Sequence, residues 1–168
     1  MILVDSNLLV YATIAASPHH TSAKAWLDDQ FECGARIGLP WQSLAGYVRV
    51  VTHPRITNPP RPVQDAWAQV EEWLDHPRVW IPEPTGSHRS VFGRLLQQTA
   101  AHAGIANDAD LAALAVEHGL IVCSADTDFA KFPGLHWRNP LTGGEFGVAE
   151  RSSPYGASPT HRKRGRRG

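Results

Sequence analysis

The feature that most constrains the fold is a helix-to-strand unit in residues 107–129. Asn107 can cap a helix, and Asp108 follows in the first turn, where the positive end of the helix dipole favours a carboxylate. Apolar residues recur at helical spacing as far as Gly119, a residue type that commonly ends helices. Residues 120–123 then form a short apolar run, as in a buried parallel strand. The unit therefore predicts an α/β fold.

The other apolar segments alternate in the same way between strand-like runs and helical periodicity. Strands separated by helices predict a three-layer α/β/α sandwich with a central parallel sheet. The last strand is expected at an edge of that sheet. The predicted strands are 1–4, 36–40, 78–82, 120–123 and 135–137, and the predicted helices are 8–16, 21–31, 41–51, 63–74, 87–103 and 107–118.

Composition divides the 168 residues into two parts. Residues 1–141 carry 10 Lys or Arg against 14 Asp or Glu, a net charge of −4, and are long enough to form one domain. Residues 142–168 carry 6 against 2, a net charge of +4, and are rich in Gly, Ser, Pro and Arg without periodicity. We expect this second part to be a disordered basic tail. The acidic domain favours a metal site over a broad phosphate-binding surface.

The chain has neither a signal-like segment nor an apolar run long enough to cross a bilayer. Its two cysteines, Cys33 and Cys123, do not make a disulfide framework. We therefore expect a cytoplasmic protein that does not enter membranes.

Four carboxylates lie at the ends of predicted elements: Asp5, Asp108, Asp126 and Asp128. Asp5 and the pair at 126 and 128 follow strands, and the carboxyl edge of a parallel sheet is where ligands bind. Carboxylates packed together repel one another unless a cation neutralises them. Oxygen ligands without a Cys or His cluster suit Mg²⁺ or Mn²⁺, and such an ion can hold a water beside a phosphodiester for in-line attack.

Each of these acids also has a structural interpretation. Asp5 can be a turn residue after its strand, and one of Asp126 and Asp128 can have the same role. Asp108 and Asp110 can both be partners of the helix dipole. Asp110 lies three residues after Asn107, in capping-box spacing, and is the better candidate for a helix cap. Positions 108 and 110 are about 200° apart around a helix, so at most one of them faces the site.

Several short segments, in a fixed order, strengthen the functional interpretation. They read Val-Asp-Ser-Asn at 4–7, Arg-Val-Val-Thr-His-Pro-Arg at 49–55, Asp-Ala-Asp-Leu-Ala-Ala-Leu-Ala at 108–115, Glu-His-Gly at 117–119, Ser-Ala-Asp-Thr-Asp-Phe at 124–129 and Phe-Pro-Gly-Leu at 132–135. Over about residues 1–141 they resemble the PIN-domain ribonucleases. More narrowly, they resemble the VapC toxins of bacterial type II toxin–antitoxin systems.

The resemblance implies a Mg²⁺- or Mn²⁺-dependent endoribonuclease, usually a homodimer, that a cognate VapB-type antitoxin holds inactive. Its catalytic acids correspond to Asp5, to Asp108 and to an acid within Asp126 and Asp128, with all four as candidate metal ligands. The implied substrate is a tRNA or rRNA loop. Single-stranded RNA is also the physical expectation, because a phosphate must be splayed out to reach a recessed metal.

The chain departs from the family pattern at Gly46. Three residues before the arginine that corresponds to Arg49, the family commonly has a glutamate, so a fourth carboxylate and the number of metal ions are not implied here. Arg49 either pairs with the acidic cluster, the alternative we favour, or contacts the scissile phosphate. Ser6 and Asn7 either orient metal-bound water or cap the next helix.

Three other functions compete with a toxin. A phosphohydrolase of the haloacid dehalogenase type needs a second aspartate two positions after the first, where this chain has Asn7. A catalytically silent PIN-like protein could only bind an antitoxin, and Gly46 favours that alternative. A housekeeping RNA-processing nuclease would work without an antitoxin.

The end of the tail has two interpretations. Residues 161–167 contain five Lys or Arg, which can contact RNA phosphates without choosing sequence. A short basic terminus can equally be no more than a solvated end.

Overall fold

A six-stranded sheet in the order β3-β2-β1-β4-β5-β6 forms the centre of the molecule. A computed structural model of the chain describes residues 1–99 and 105–142 and the backbone of 147–148. Five strands are parallel, and β6 pairs antiparallel with β5 at one edge. The strands are β1 (Ile2–Val4), β2 (Ile37–Gly38), β3 (Val79–Trp80), β4 (Ile121–Cys123), β5 (His136–Arg138) and β6 (Gly147–Val148).

Six α-helices in the described residues flank this sheet, and a 3₁₀ helix at Thr127–Lys131 follows β4. The helices are α1 (Ser6–Thr13), α2 (His20–Glu32), α3 (Trp41–Val51), α4 (Val63–Leu74), α5 (His88–Gln98) and α6 (Ile105–His118). None of these helices has both the length and the apolar character needed to cross a membrane.

The two faces of the sheet bury separate cores. In β1, Ile2 and Val4 pack with residues of α1 to α4, whereas Leu3 packs with residues of α5 and α6. This alternation follows from the period of two in a strand, which sends neighbouring side chains to opposite faces. The helices therefore lie on both faces of the sheet, which confirms the predicted three-layer α/β/α sandwich.

The central pair of strands brings distant residues together at the carboxyl edge. Val4 in β1 is level with Cys123 in β4, and the amide of Asp5 donates to the carbonyl of Cys123 at 3.0 Å. Asp5 and Ser124, the first residues beyond these strands, therefore lie side by side.

Helix α6 ends as expected and begins earlier than expected. Gly119 has φ of +63°, and the amide of Leu120 donates to the carbonyl of Ala115 at 2.8 Å, which together form a Schellman termination. The described helix already includes Ile105, which is buried, and Asn107 is its third residue. The predicted role of Asn107 as the helix cap is therefore wrong, because an apolar residue anchors the first turn.

Other predicted features also differ from the structure, among them the ends of α1 and α5 and the edge of the sheet. Helix α1 ends at Thr13, whose hydroxyl donates to the carbonyl of Leu9 at 3.0 Å, and Ile14 is extended. Helix α5 ends at Gln98 because Thr99 is extended. Strand β6 pairs outside β5, which is therefore not the edge strand. The basic residues 161–167 lie outside the described part of the chain.

Candidate active site

A cavity of about 470 Å³ opens at the carboxyl edge of the sheet. Its walls come from the start of α1, the exposed side of α3, the first turns of α6 and the segment after β4. Asp5, Asp108 and Asp126 line it, together with Ser6, Asn7 and Arg49. The cavity thus contains six of the seven residues selected from the sequence, and Asp128 lies next to it through Asp126.

Three carboxylates converge at this cavity. One carboxylate oxygen from each of Asp108, Asp126 and Asp128 lies within 4.8 Å of the other two. Asp126 is exposed, and the other two are half-buried. The donor set consists entirely of oxygen, with spacings that one hard cation can bridge, so these residues fit Mg²⁺ or a similar ion.

The segment after β4 shapes its two acids by local hydrogen bonds. The amide of Asp128 donates to Asp126 Oδ1 at 2.8 Å, so Asp126 caps the 3₁₀ helix. Asp128 accepts from Lys131 Nζ one turn later. The predicted turn role therefore belongs to Asp126, which nevertheless keeps its carboxylate in the acidic group.

Asp5 lies beside this group rather than in it. Its Oδ2 accepts from Ser124 Oγ at 2.7 Å and from Asn7 Nδ2 at 2.8 Å, and its Oδ1 accepts from Ser6 Oγ at 3.2 Å. Burial raises the pKa of the Asp5 carboxyl, and the charge of Asp126 adds to the rise, while the hydrogen bonds from Ser124 and Ser6 oppose it.

Ser6 and Asn7 do not cap α1. The N-cap residue is Asp5, and it makes no side-chain cap hydrogen bond. Asn7 instead donates to Asp5 and, at 2.9 Å, to Ser124 Oγ, and accepts from the amide of Ala125 at 3.3 Å. Asn7 therefore joins the ends of β1 and β4, and the capping alternative is wrong.

Asp110 has a different role from the predicted cap. Its Oδ2 accepts from Gln42 Nε2, and its Oδ1 lies 2.7 Å from His88 Nε2. The other ring nitrogen of His88 lies 2.8 Å from Glu117 Oε1, and Glu117 Oε2 accepts from the amide of Thr85. This polar chain ties α3, α5 and α6 together behind the cavity.

Sequence reasoning missed three polar residues of the site: Ser124, Gln42 and Ser43. Ser124 directly follows a buried strand and faces Asp5, which its position in the chain could have indicated. Gln42 and Ser43 line the cavity from α3. Gln42 Oε1 and Ser43 Oγ are buried without a hydrogen-bond partner among the described residues. No pattern in the sequence distinguishes these two from other polar residues of the helix.

Gly46 and Arg49 form the rest of the α3 wall. A Cβ atom at position 46 would lie 3.0 Å from Ser6 Cβ and 3.1 Å from Ser6 Oγ. A side chain at position 46 would therefore require the start of α1 to shift by a few tenths of an ångström. Arg49 is exposed and lines the cavity on the same helix. Both interpretations of Arg49, the ion pair with the acidic cluster and the contact with the scissile phosphate, stay predictions.

Comparison with known proteins gives this site a family context. The family model of the PIN domain matches residues 2–135. The chain is 38% identical over 140 residues to Ribonuclease VapC37 of Mycobacterium tuberculosis, which covers 83% of this chain and 97% of that protein.

Solved structures agree on the fold. VapBC2 from Rickettsia felis, crystallised with a DNA fragment from its promoter, gives a TM-score of 0.60 at 19% identity, covering 83% of this chain and 98% of that one. VapC20 of Mycobacterium tuberculosis, described as a sarcin–ricin loop cleaving toxin, gives a TM-score of 0.60 at 16% identity, covering 77% of this chain and 93% of that one. The family match and the 38% identical relative together show that this chain belongs to the PIN-domain family, among the VapC ribonucleases.

Proposed function

We propose that the chain is a divalent-metal-dependent endoribonuclease, the toxin of a toxin–antitoxin pair. The observation that carries the proposal is the convergence of Asp108, Asp126 and Asp128 in an open cavity at the carboxyl edge of the sheet. Such a group of carboxylates can hold a cation, and a cation held there can in turn bind a phosphodiester. The relative that is 38% identical over almost its whole length is named a ribonuclease.

The same three carboxylates would hold the ion, with Asp5 beside them as the fourth acid of the site. Mg²⁺ or Mn²⁺ fits a donor set made only of oxygen. A bound ion of this kind would neutralise charge that develops on the phosphate during an in-line displacement.

The chain's own residues prepare this reaction by positioning. Asn7 and Ser124 fix the Asp5 carboxylate through bonds of 2.8 and 2.7 Å, so that it keeps one orientation at the cavity wall. Asp5, Asp108 and Asp126 are the proposed catalytic acids. Ser6 and Asn7 act on the substrate through Asp5, and the exposed side chain of Arg49 can contact a substrate phosphate.

The proposed substrate is RNA with an accessible single-stranded loop, as in tRNA or rRNA. A loop can splay one phosphate into a recessed site, which the stacked strands of a duplex cannot do. The proposed compartment is the cytoplasm, where such RNA lies. Cys33 and Cys123 are both free thiols, as expected for a reducing compartment.

The proposed protein partners are a VapB-type antitoxin and a second copy of the chain. The Rickettsia felis structure contains a VapBC2 pair, a precedent for an antitoxin bound to this fold. The proposed domain boundaries are residues 1–141 for the nuclease and 142–168 for a basic extension, whose residues Gly147–Val148 add strand β6 to the sheet.

A cleavage assay with one substitution tests the function. The purified chain should cut a structured RNA when Mn²⁺ or Mg²⁺ is added and not in EDTA. Asp108→Asn should abolish the cut while preserving the fold, and it should also abolish any rise in melting temperature with Mn²⁺, because that rise reports binding. Asp65→Asn is the control, since Asp65 is an exposed acid in the first turn of another helix. Full cleavage by Asp108→Asn would overturn the assignment.

The second candidate is a silent PIN-like protein that only binds an antitoxin. Gly46 favours it, because the glutamate common at this position in the family is missing. The same assay separates the two: a silent binder would leave RNA intact under every metal condition and would still form a complex with the antitoxin.

A further inference from the structure

An exposed row of side chains runs along α3 beside the acidic cavity. In the helix segment 41–49 the exposed residues are Trp41, Ala45 and Arg49, spaced by four. Residues four apart are neighbours on a helix surface, so the three form one row about 12 Å long. The row joins an aromatic ring at one end to a guanidinium at the other.

Part of this row borders the cavity. Ala45 and Arg49 line the cavity, and so does Gln42, which directly follows Trp41 in the chain. The acidic group belongs to α6 and the segment after β4, which form other walls of the same cavity. A strand that places one phosphate at the carboxylates therefore passes next to α3.

Trp41 differs from the tryptophans that build the fold. Its side chain is 50% exposed. By contrast, the ring of Trp73 packs edge-on against Tyr47 at 4.8 Å, and Trp137 donates from its ring nitrogen to Ser124. Within the described residues no aromatic or cationic group packs on the ring of Trp41. A half-exposed indole at a helix start contributes little to the core and offers a flat face for stacking.

The charge of Arg49 suits the row to a nucleic-acid strand. Its guanidinium is an exposed cation at the edge of an otherwise acidic cavity, where it complements phosphate.

We propose that Trp41 and Arg49 form a track for single-stranded RNA, with a base stacked on the Trp41 ring and a phosphate bound by Arg49. The proposal rests on the proposed ribonuclease function and adds the residues that select an unpaired strand. Stacking on an aromatic face is tolerant of sequence, because every base has such a face.

Binding measurements on a non-cleaving background test the track. In the full chain carrying Asp108→Asn, a labelled single-stranded RNA oligonucleotide is titrated by fluorescence anisotropy. Trp41→Ala should weaken binding roughly tenfold, and Trp41→Phe should restore most of it, because the phenyl ring also stacks. Arg49→Gln should weaken binding and reduce the salt slope by about 0.7, the value for one single-strand phosphate contact. Trp41→Ala should leave that slope unchanged.

Trp67→Ala is the matched control. Trp67 is also an exposed tryptophan, at 43%, but lies on α4, a helix that contributes no residue to the cavity. Its replacement should not change RNA affinity. Equal RNA affinity of the parent and Trp41→Ala would overturn the track. If Trp41→Ala instead loses antitoxin binding and keeps RNA binding, the row is a protein-docking surface and the track is also overturned.

The failure of the track and the failure of the proposed function are distinguishable. RNA cleavage by the parent chain establishes the function independently of Trp41. If Trp41→Ala cleaves RNA with the same kcat/KM as the parent, only the track is overturned. If the parent chain never cleaves RNA, both the track and the proposed function are overturned.

Discussion

Asp5 lies in an environment that opposes its own charge. The carboxyl is largely withdrawn from water, and burial raises its pKa above the ordinary value for aspartate. Hydrogen bonds from Ser124 and Ser6 favour the ionised form and offset only part of that effect. The balance of these effects at Asp5 therefore favours the neutral carboxyl more than in water.

The first prediction at the residue scale is that Asp5→Asn stabilises the metal-free protein at neutral pH. Because the folded-state pKa is raised, the stabilising contribution of Asp5 is fully present below its unfolded pKa of about 3.9 and is lost as the pH rises through the folded value. Asparagine has nearly the same shape without the charge. Each kcal/mol gained should raise the melting temperature by about 2–4 °C.

Thermal unfolding in EDTA at a series of pH values checks this. The advantage of the variant should be largest at neutral pH and should shrink as the pH falls toward about 4, where Asp5 becomes protonated in both states. A variant that melts below the parent at neutral pH would contradict the prediction, because it would show that the hydrogen bonds to the carboxylate outweigh its desolvation.

For single residues, the sequence predicts the place of a site residue in the fold better than it predicts the hydrogen-bond partners of that residue. Asp5 and Asp126 follow strands whose carboxyl ends must meet in a parallel sheet, so their proximity can be inferred from topology. The bonds of Asp110 to Gln42 and His88 join residues 68 and 22 positions apart. Such pairings depend on the rotational setting of α3, α5 and α6 about their axes. Hydrophobic periodicity identifies the buried face of a helix but not which single side chains meet across the contact.

Among the elements, the packing of α1 against α3 depends on one glycine. Gly46 lies in the middle of α3, where glycine costs roughly 1 kcal/mol relative to alanine. A Cβ at this position would lie 3.0 Å from Ser6 Cβ, an atom that cannot rotate away, so the start of α1 would have to shift by a few tenths of an ångström. The close approach explains the glycine and also explains why a glutamate does not fit here without a shift of the helix.

The second prediction compares two glycines in helices. Gly46→Ala should destabilise the fold by about 1 kcal/mol, because overpacking typically costs about 1–3 kcal/mol and outweighs the gain in helix propensity. Gly93→Ala should stabilise it by about 0.5–1 kcal/mol, since a Cβ there meets nothing within 4 Å. Urea unfolding with equal m-values checks both. Equal stabilisation by the two substitutions would show that Ser6 yields at little cost.

Element boundaries are harder to predict from the sequence than element types, for local physical reasons. Helix α6 includes buried Ile105 before Asn107, although Asn107 is the better cap by residue type. Helix α5 ends at Gln98, before the predicted end at residue 103. At the observed end, the hydroxyl of Thr99 donates to the carbonyl of Leu95 at 2.8 Å. In both cases local interactions of one side chain set the boundary, and apolar periodicity does not report them.

For the whole molecule, the separation of charge sets how it meets RNA. The formal net charge is zero, but residues 151–168 carry six Lys or Arg and no Asp or Glu, which leaves −6 for the rest. A negatively charged body repels phosphate at long range, while the proposed cation and Arg49 would act only at the cavity. Residues 151–168, the basic segment, are therefore the part of the chain suited to attract RNA before the RNA reaches the site.

The last prediction is that removal of residues 151–168 weakens RNA binding without moving the cleavage position. Ending the chain at residue 150 keeps strand β6, which pairs with β5, so the sheet is preserved. For every phosphate that the basic segment binds, its removal should lower the salt slope of single-strand binding by about 0.7. Interactions with phosphate carry no base information, so the cut should stay at the same nucleotide. A full-length variant with the six cations replaced by glutamine is the matched control and should behave like the truncation, because charge and not length is responsible. RNA affinity and salt slope unchanged in both variants would show that the basic segment is only a solvated end.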